Sequence, residues 1–210
     1  METHFLEIFR DACFEKDYKC IKEILPILRS DVPSLRECMV IACSVGHLEV
    51  LHMVRPFFWD VSYIETYPLE VASCNGNLEI VKYLVGQGVK IHWNCDAPLR
   101  AASESGRYNV VKFLIESGAD IHADDESPLC DASMNGYKDI VSLLLRCGAD
   151  PCAKDNDAIR GASFFGYFSI VRKLIDYGAN PSKIHHQTTE EFMVYVSEYL
   201  PVSPRKRLLI

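Results

Sequence analysis

At 210 residues, with 49% hydrophobic and 24% charged side chains, the chain has the composition of a folded protein and not of a disordered one. Its net charge of −7 argues against a general nucleic-acid binder, which needs a basic face to neutralise phosphate. No apolar run approaches the roughly 20 residues of a membrane span, and Met1 to Arg10, with Glu2, His4 and Glu7, lacks a signal-peptide core, so the expected location is the cytosol or nucleus.

Alanine stands at Ala12, Ala42, Ala72, Ala102, Ala132 and Ala162, a constant spacing of thirty residues. A fixed period of that length marks a stacked array in which each unit buries its apolar face against its neighbours. The first unit has Lys16 where later units have glycine, Asp17 as N-cap of a second helix, and Cys20-Ile21 with Ile24 as its apolar stripe. The second carries Gly46, His47 at the turn, Glu49 near the helix start, Val50-Leu51 and Val54. Its connector is aromatic, with Phe57-Phe58-Trp59 and Tyr63-Ile64. Leu28 and Phe58 stand where a closing glycine is expected, so both units read as diverged. The third has Pro68-Leu69, Ala72, Gly76, Asn77 as N-cap, Ile80-Val81, Leu84 and the closing Gly88.

The fourth unit shows the local physics. Proline suits the first turn of a helix, where its missing N–H is not needed. Leu99 and Ala102 share one face, so a helix is predicted over Pro98 to Ser105. Gly106 ends it in a left-handed conformation that glycine adopts without steric cost. A second helix over Tyr108 to Glu116 has Val110, Val111 and Leu114 as its stripe, and Gly118 stops it. The stretch Ala119 to Ser127 is then expected to be an exposed turn or short hairpin.

The fifth unit repeats this order with Pro128-Leu129, Ala132, Gly136, Ile140-Val141, Leu144 and Gly148. The sixth has Asp157-Ala158-Ile159 in place of a proline-leucine start, then Ala162, Gly166, Ile170-Val171, Leu174 and Gly178. After Asn180-Pro181 the register fails. Thr189-Glu190-Glu191 with Phe192, Val196 and Tyr199 predicts a capping helix within 186–200. A basic then apolar tail follows at 201–210.

Ser127-Pro128-Leu129 with Ala132, Gly136, Ile140-Val141, Leu143-Leu144-Leu145 and Gly148-Ala149-Asp150 resembles the ankyrin repeat family, and the units starting at Tyr67 and Ala97 show the same order. The thirty-residue period, with Gly-Asn-Leu-Glu-Ile-Val-Lys-Tyr-Leu at 76–84, is similar to ankyrin proteins of giant viruses of amoebae. The resemblance implies an all-α ankyrin-repeat solenoid of helix-turn-helix units with short connecting hairpins or turns. The array spans 1–185 in about six repeats, the first two diverged. The common period is roughly 33 residues; the three missing here fall between Asp120 and Pro128, so the connecting fingers are expected to be short.

Candidate chemistry is thin. Nine cysteines occur without a C-x-x-C pair, and Cys13, Cys43 and Cys20 sit at repeat packing positions, which suits thiols in a reducing compartment better than disulfides or zinc. His92 and His122 align where typical ankyrin repeats place an asparagine that ties the connector to its neighbour, and a histidine nitrogen can make similar bonds. His185-His186 has no acid or cysteine cluster beside it. No nucleophile and base share a distinctive setting, so no enzyme, cofactor or metal is expected.

The family resemblance places binding on the concave side, built from first helices and connector tips. The residues two and three after each alanine vary while the framework does not: Glu104-Ser105, Met134-Asn135 and Phe164-Phe165 among them. For Phe164-Phe165 two readings stand, interface anchors or rings covered by Thr188 to Leu200. Asp96, Asp124-Asp125-Glu126 and Asp155-Asn156-Asp157 suggest an acidic ridge along the tips, for a basic partner or for solubility. The expected contacts are thus Glu104, Ser105, Asp125, Met134, Asn135, Asp157, Phe164 and Phe165. The expected function is a monomeric module for a protein partner with a basic or apolar patch, acting on host proteins if the origin is viral. The alternative is a ubiquitin-ligase adaptor recruited through the 201–210 tail.

Overall fold

The computed structural model describes residues 2–28, 32–57 and 67–184. Twelve α-helices lie among the described residues, and they pair as the repeat predicts. The pairs are α1 (Glu2–Glu15) with α2 (Tyr18–Leu28), α3 (Val32–Val45) with α4 (Leu48–Val54), and α5 (Tyr67–Asn75) with α6 (Leu78–Gly86). Then follow α7 (Ala97–Glu104) with α8 (Tyr108–Glu116), α9 (Ala123–Met134) with α10 (Lys138–Arg146), and α11 (Ala153–Phe164) with α12 (Phe168–Asp176). Short 3-10 turns follow at Arg55–Phe57 and Pro181–Lys183. The expected capping helix, the tail and the aromatic run from Phe58 to Ile64 lie outside the described residues.

The helices form two layers that pack through side chains of different size. Neighbouring first helices pack more closely than neighbouring second helices. The periodic alanines from Ala42 to Ala162 are wholly buried, and the serines after four of them, Ser73, Ser103, Ser133 and Ser163, are buried too. Such small side chains let backbones approach. The second helices bury branched triads instead, Ile80-Val81-Leu84 and Ile140-Val141-Leu144 for example. Narrow contacts on one layer and wide ones on the other favour bending toward the first helices, the side that the family resemblance makes the inner face. In the sixth unit Ile159 replaces the missing leucine and is fully buried, so the core continues without the proline.

Gly106 has φ +74°, as its helix-ending role requires. It has a second duty, since a Cβ there would overlap the ring of Tyr137 from the next unit. Asn77 takes the equivalent seat under Gly46, and this corrects its expected role. Its side chain makes no N-cap bond; its Nδ2 donates to the Cys43 and Ser44 carbonyls at 2.7 and 2.9 Å. Arg107 does likewise, its Nε donating to the Cys74 carbonyl at 2.8 Å. Asp17 does cap its helix, accepting the Cys20 N–H at 3.0 Å.

Of the two expected forms, exposed turn or short hairpin, the connectors take the turn. Each contains three consecutive left-handed residues: Asn94-Cys95-Asp96, Asp124-Asp125-Glu126 and Lys154-Asp155-Asn156. Six of these nine are Asn or Asp, the non-glycine residues that tolerate that region best. A single left-handed turn spans the gap left by the shortened period. It is also less exposed than expected, with Ala119, Ile121, Ala123, Glu126 and Ser127 buried.

The buried cysteines are packing residues. Burial pushes the thiols of Cys13, Cys38, Cys43 and Cys130 up to about 12, so they stay protonated and unreactive.

Candidate protein-binding face

The inner face is built from the last turns of the first helices. One row along the stack runs Cys74, Glu104, Met134, Phe164, and the row beside it runs Asn75, Ser105, Asn135, Phe165. Phe164 and Phe165 are 57% and 56% exposed, which is unusual for rings of this size. They meet edge to face, with centroids 5.0 Å apart, and Phe165 lies 6.4 Å from the Tyr167 ring.

The other expected contacts divide. Glu104 is exposed. Asn135 is exposed too, with its amide donating to the Asp131 carbonyl at 2.9 Å. Ser105 is half-buried, its hydroxyl 3.2 Å from the Cys74 sulfur. Met134 is half-buried, because it lies across Gly161 of α11 and packs between neighbouring first helices. Part of that side chain is therefore already engaged in the stack.

The acidic ridge does not form as expected. Asp96 and Glu126 are 4% exposed and point into the connectors. Asp124 is paired with Arg100 at 2.8 Å, and Lys154 donates to the Asp124 carbonyl and the Ser127 hydroxyl at 2.7 and 3.0 Å. Asp155 is paired with Lys183, whose hydrogen bond holds the carboxyl below the usual carboxylate range. Asp157 is half-buried beside Arg160, 3.8 Å away. Asp125 remains exposed at its tip. The physical reason is conformational: this acidic run fits residues that must be left-handed.

The histidines also act differently from expectation. His92 Nδ1 lies 3.1 Å from Asp96 Oδ1, and His122 Nδ1 is bonded to Glu126 within its own connector. The tie to the next unit is made by the buried position itself. Asp96 Oδ1 accepts the Asp120 N–H at 3.0 Å, and Asn156 Oδ1 accepts the Asn180 N–H at 2.6 Å.

Asp131 was not singled out by the sequence. It stands one residue before the alanine, where Ile41, Val71, Ala101 and Gly161 are apolar or small and the first unit alone also has an acid, Asp11, so an acid inside the array was a readable signal. Burial, then the nearby charge of Glu104, raises its carboxyl to about 6; Arg100 and Lys154 act against this. The opposite, outer face carries a cleft of about 410 Å³ lined by Tyr108, Asp139, Ser142, Arg146 and Lys173. Among the described residues no group of His, Cys, Asp and Glu is placed to hold a metal. No described helix is long and apolar enough to cross a membrane.

Paired helices stacked in two layers, with left-handed glycines at the turns from the second pair onward, define a helical repeat protein. The chain belongs to the ankyrin repeat family: the model for ankyrin repeats matches three times, over residues 39–125, 69–155 and 99–185. No curated protein matches the chain significantly. Ankyrin repeats are in general protein-protein interaction modules.

Proposed function

We propose that the protein binds a partner protein through its inner face and performs no reaction. The observation that carries this reading is the exposed ring pair Phe164 and Phe165 at the end of that face. Large aromatics on a rigid, curved surface are the usual anchors of interfaces. Glu104 and Asn135 continue the same face, with Ser105 and Met134 half-buried beside them, and Asp125 and Asp157 flank it. A host protein is the first partner to seek, given the resemblance to viral ankyrin proteins, and a reducing cytosolic or nuclear compartment suits the buried thiols. The mechanism is recognition by a pre-formed surface, acting as a monomer.

The test is a cross-linked pull-down from host lysate with three baits: the intact chain, Phe164→Ala/Phe165→Ala, and Arg146→Ala/Lys173→Ala on the outer face. A partner retained by the first and third baits and lost by the second supports the reading. Phe165→Ala alone should weaken that complex roughly tenfold while the melting temperature stays nearly constant. Equal capture by all three baits overturns it. The basic tail Arg205-Lys206-Arg207 before Leu208-Leu209-Ile210 supports a second reading, recruitment of a ubiquitin ligase. Loss of a ligase, but not of the first partner, on removing 201–210 would favour it.

A further inference from the structure

On the outer face, the second helices of the third and fourth units neutralise charges among themselves: Lys82 pairs with Glu79 at 2.9 Å, and Lys112 with Glu116 at 3.9 Å. The fifth unit breaks that pattern. Ser142 stands where the neighbouring units have Lys82, Lys112 and Arg172, so Asp139, aligned with Glu79, has no lysine beside it. Arg146 takes the position of the acids Glu116 and Asp176, and Lys173 of the sixth unit takes that of Tyr83, Phe113 and Leu143. These four residues, with Tyr108 of α8, line the outer cleft of about 410 Å³ that crosses α10. Ser142 leaves the cleft open, because its short side chain folds back and donates to the Lys138 carbonyl at 2.6 Å. Arg146 Nε donates to the Ser142 carbonyl at 3.2 Å, which holds the guanidinium against α10 and leaves its two terminal amino groups for an outside acceptor. Among the described residues Asp139, Arg146 and Lys173 have no ion-pair partner, not even one another. The helix dipole accounts for Asp139 in the first turn of α10 and Arg146 in the last, but not for Lys173 or the missing lysine.

We propose that this cleft binds an extended protein segment in which an acidic side chain and a lysine or arginine stand three residues apart. Arg146 and Lys173 take the carboxylate, and Asp139 takes the cation, with the Tyr108 ring beside it. The spacing follows from α10. Asp139 and Arg146 are seven residues apart on it, about 10 Å along the axis, and three extended residues span about the same length. A guanidinium fork on the carboxylate fixes one end of the segment, and a carboxylate with an aromatic face suits the cation at the other. A purely acidic segment sets an anion against Asp139, and a purely basic one sets a cation against Arg146 and Lys173, so like charge selects against both. The cleft is separate from the inner face, and its occupant is judged apart from the partner sought there.

The probe is a phage-displayed dodecapeptide library with an acid and a base fixed three apart, in both orders, panned on the immobilised full chain beside libraries that fix two acids or two bases. Enriched peptides are synthesised and their affinities measured by fluorescence polarisation. Four variants are compared with the parent: Arg146→Ala/Lys173→Ala, Ser142→Lys, Asp139→Asn, and the inner-face Phe164→Ala/Phe165→Ala. Ser142→Lys restores the residue usual in the repeat and fills the cleft, so it tests the site without unsettling the helix. Acid–base peptides should be enriched. They should weaken roughly tenfold on each of the first two variants and about threefold on Asp139→Asn, and hold on the phenylalanine variant, with all variants melting near the parent. Asp139→Asn should at the same time strengthen two-acid peptides, a change of sign that a loss of folding would not produce. Two-acid or two-base peptides that bind the parent as tightly as acid–base ones overturn the proposal. So do acid–base peptides that bind Ser142→Lys within twofold of the parent, peptides that depend on the phenylalanines instead, and no enrichment over an empty surface.

Discussion

Met134 on α9 lies across Gly161 on α11 so closely that a methyl group at position 161 would overlap its Cγ. Gly161 is within a helix and has no positive φ. In an isolated helix, Gly→Ala at such a site stabilises by about 1 kcal/mol. Here the sign should reverse, because overpacking between helices costs about 1–3 kcal/mol. Urea unfolding of Gly161→Ala should therefore show a net loss, and adding Met134→Ala should restore the ordinary gain. Additive effects of the two substitutions would show that the contact is not real.

Two glycines that look alike in the repeat should differ on substitution. Gly118 has φ +95° and open space around it, so alanine there adds conformational strain alone, about 1 kcal/mol. Gly106 has φ +74° and would place a Cβ against the Tyr137 ring. Gly106→Ala should cost more than Gly118→Ala in thermal unfolding, and Tyr137→Ala should narrow the difference. Equal losses from both would confine the role of Gly106 to its backbone.

The thirty-residue comb made the helix pairs legible, and the fourth unit's second helix runs over Tyr108–Glu116 as the glycine and apolar spacing predicted. What it could not show was reach between units. Asn77 has the residue type of an N-cap, and only the approach of α3 reveals that its amide serves two carbonyls there. The connector acids looked like a surface because charge usually marks solvent. Their left-handed backbone, and the burial of Asp96 and Glu126, follow from a shortened loop that no residue-by-residue reading resolves. On the candidate face Phe164 and Phe165 are exposed, and the segment Thr188 to Leu200 that the other reading lays over them falls outside the described residues. The partial burial of Met134 was hidden, since it depends on a glycine twenty-seven positions later.

Two groups set the pH dependence, with the same sign. The hydrogen bond to Glu126 raises the His122 pKa, so its contribution is complete below about 6.5 and is lost as pH rises through the folded value. Asp131 is raised from 3.8 to about 6, so its ionised form is penalised in the fold. That penalty is full above pH 6 and relieved as pH falls toward 3.8. The melting temperature should therefore rise as pH falls from about 8 to about 5. Asp131→Asn should remove the part below pH 6 and stabilise the protein at neutral pH by about 1 kcal/mol, after allowing for partial solvent access. His122→Gln should remove the part above about 6.5. A flat profile from pH 5 to 8 would contradict both assignments.

Glu126 occupies the buried connector position that Asp96 and Asn156 fill in the neighbouring units. In those units a side-chain oxygen accepts the N–H that opens the next connector, at 3.0 and 2.6 Å. Glu126 is longer by one methylene; one oxygen reaches His122 and the other, Oε2, is buried without a partner. Leaving such an atom unsatisfied costs about 1–3 kcal/mol. The His122 pair gives back little, because the histidine side chain is 56% exposed. Glu126→Asn transplants the Asn156 solution and should raise stability by about 1 kcal/mol, or roughly 2–4 °C in melting temperature for a chain of this size. Glu126→Gln keeps the extra methylene and should not. If Glu126→Asn melts lower than the parent, the His122–Glu126 bond outweighs the orphaned oxygen. The paired histidine, not the acid alone, would then be the stabilising device of this connector.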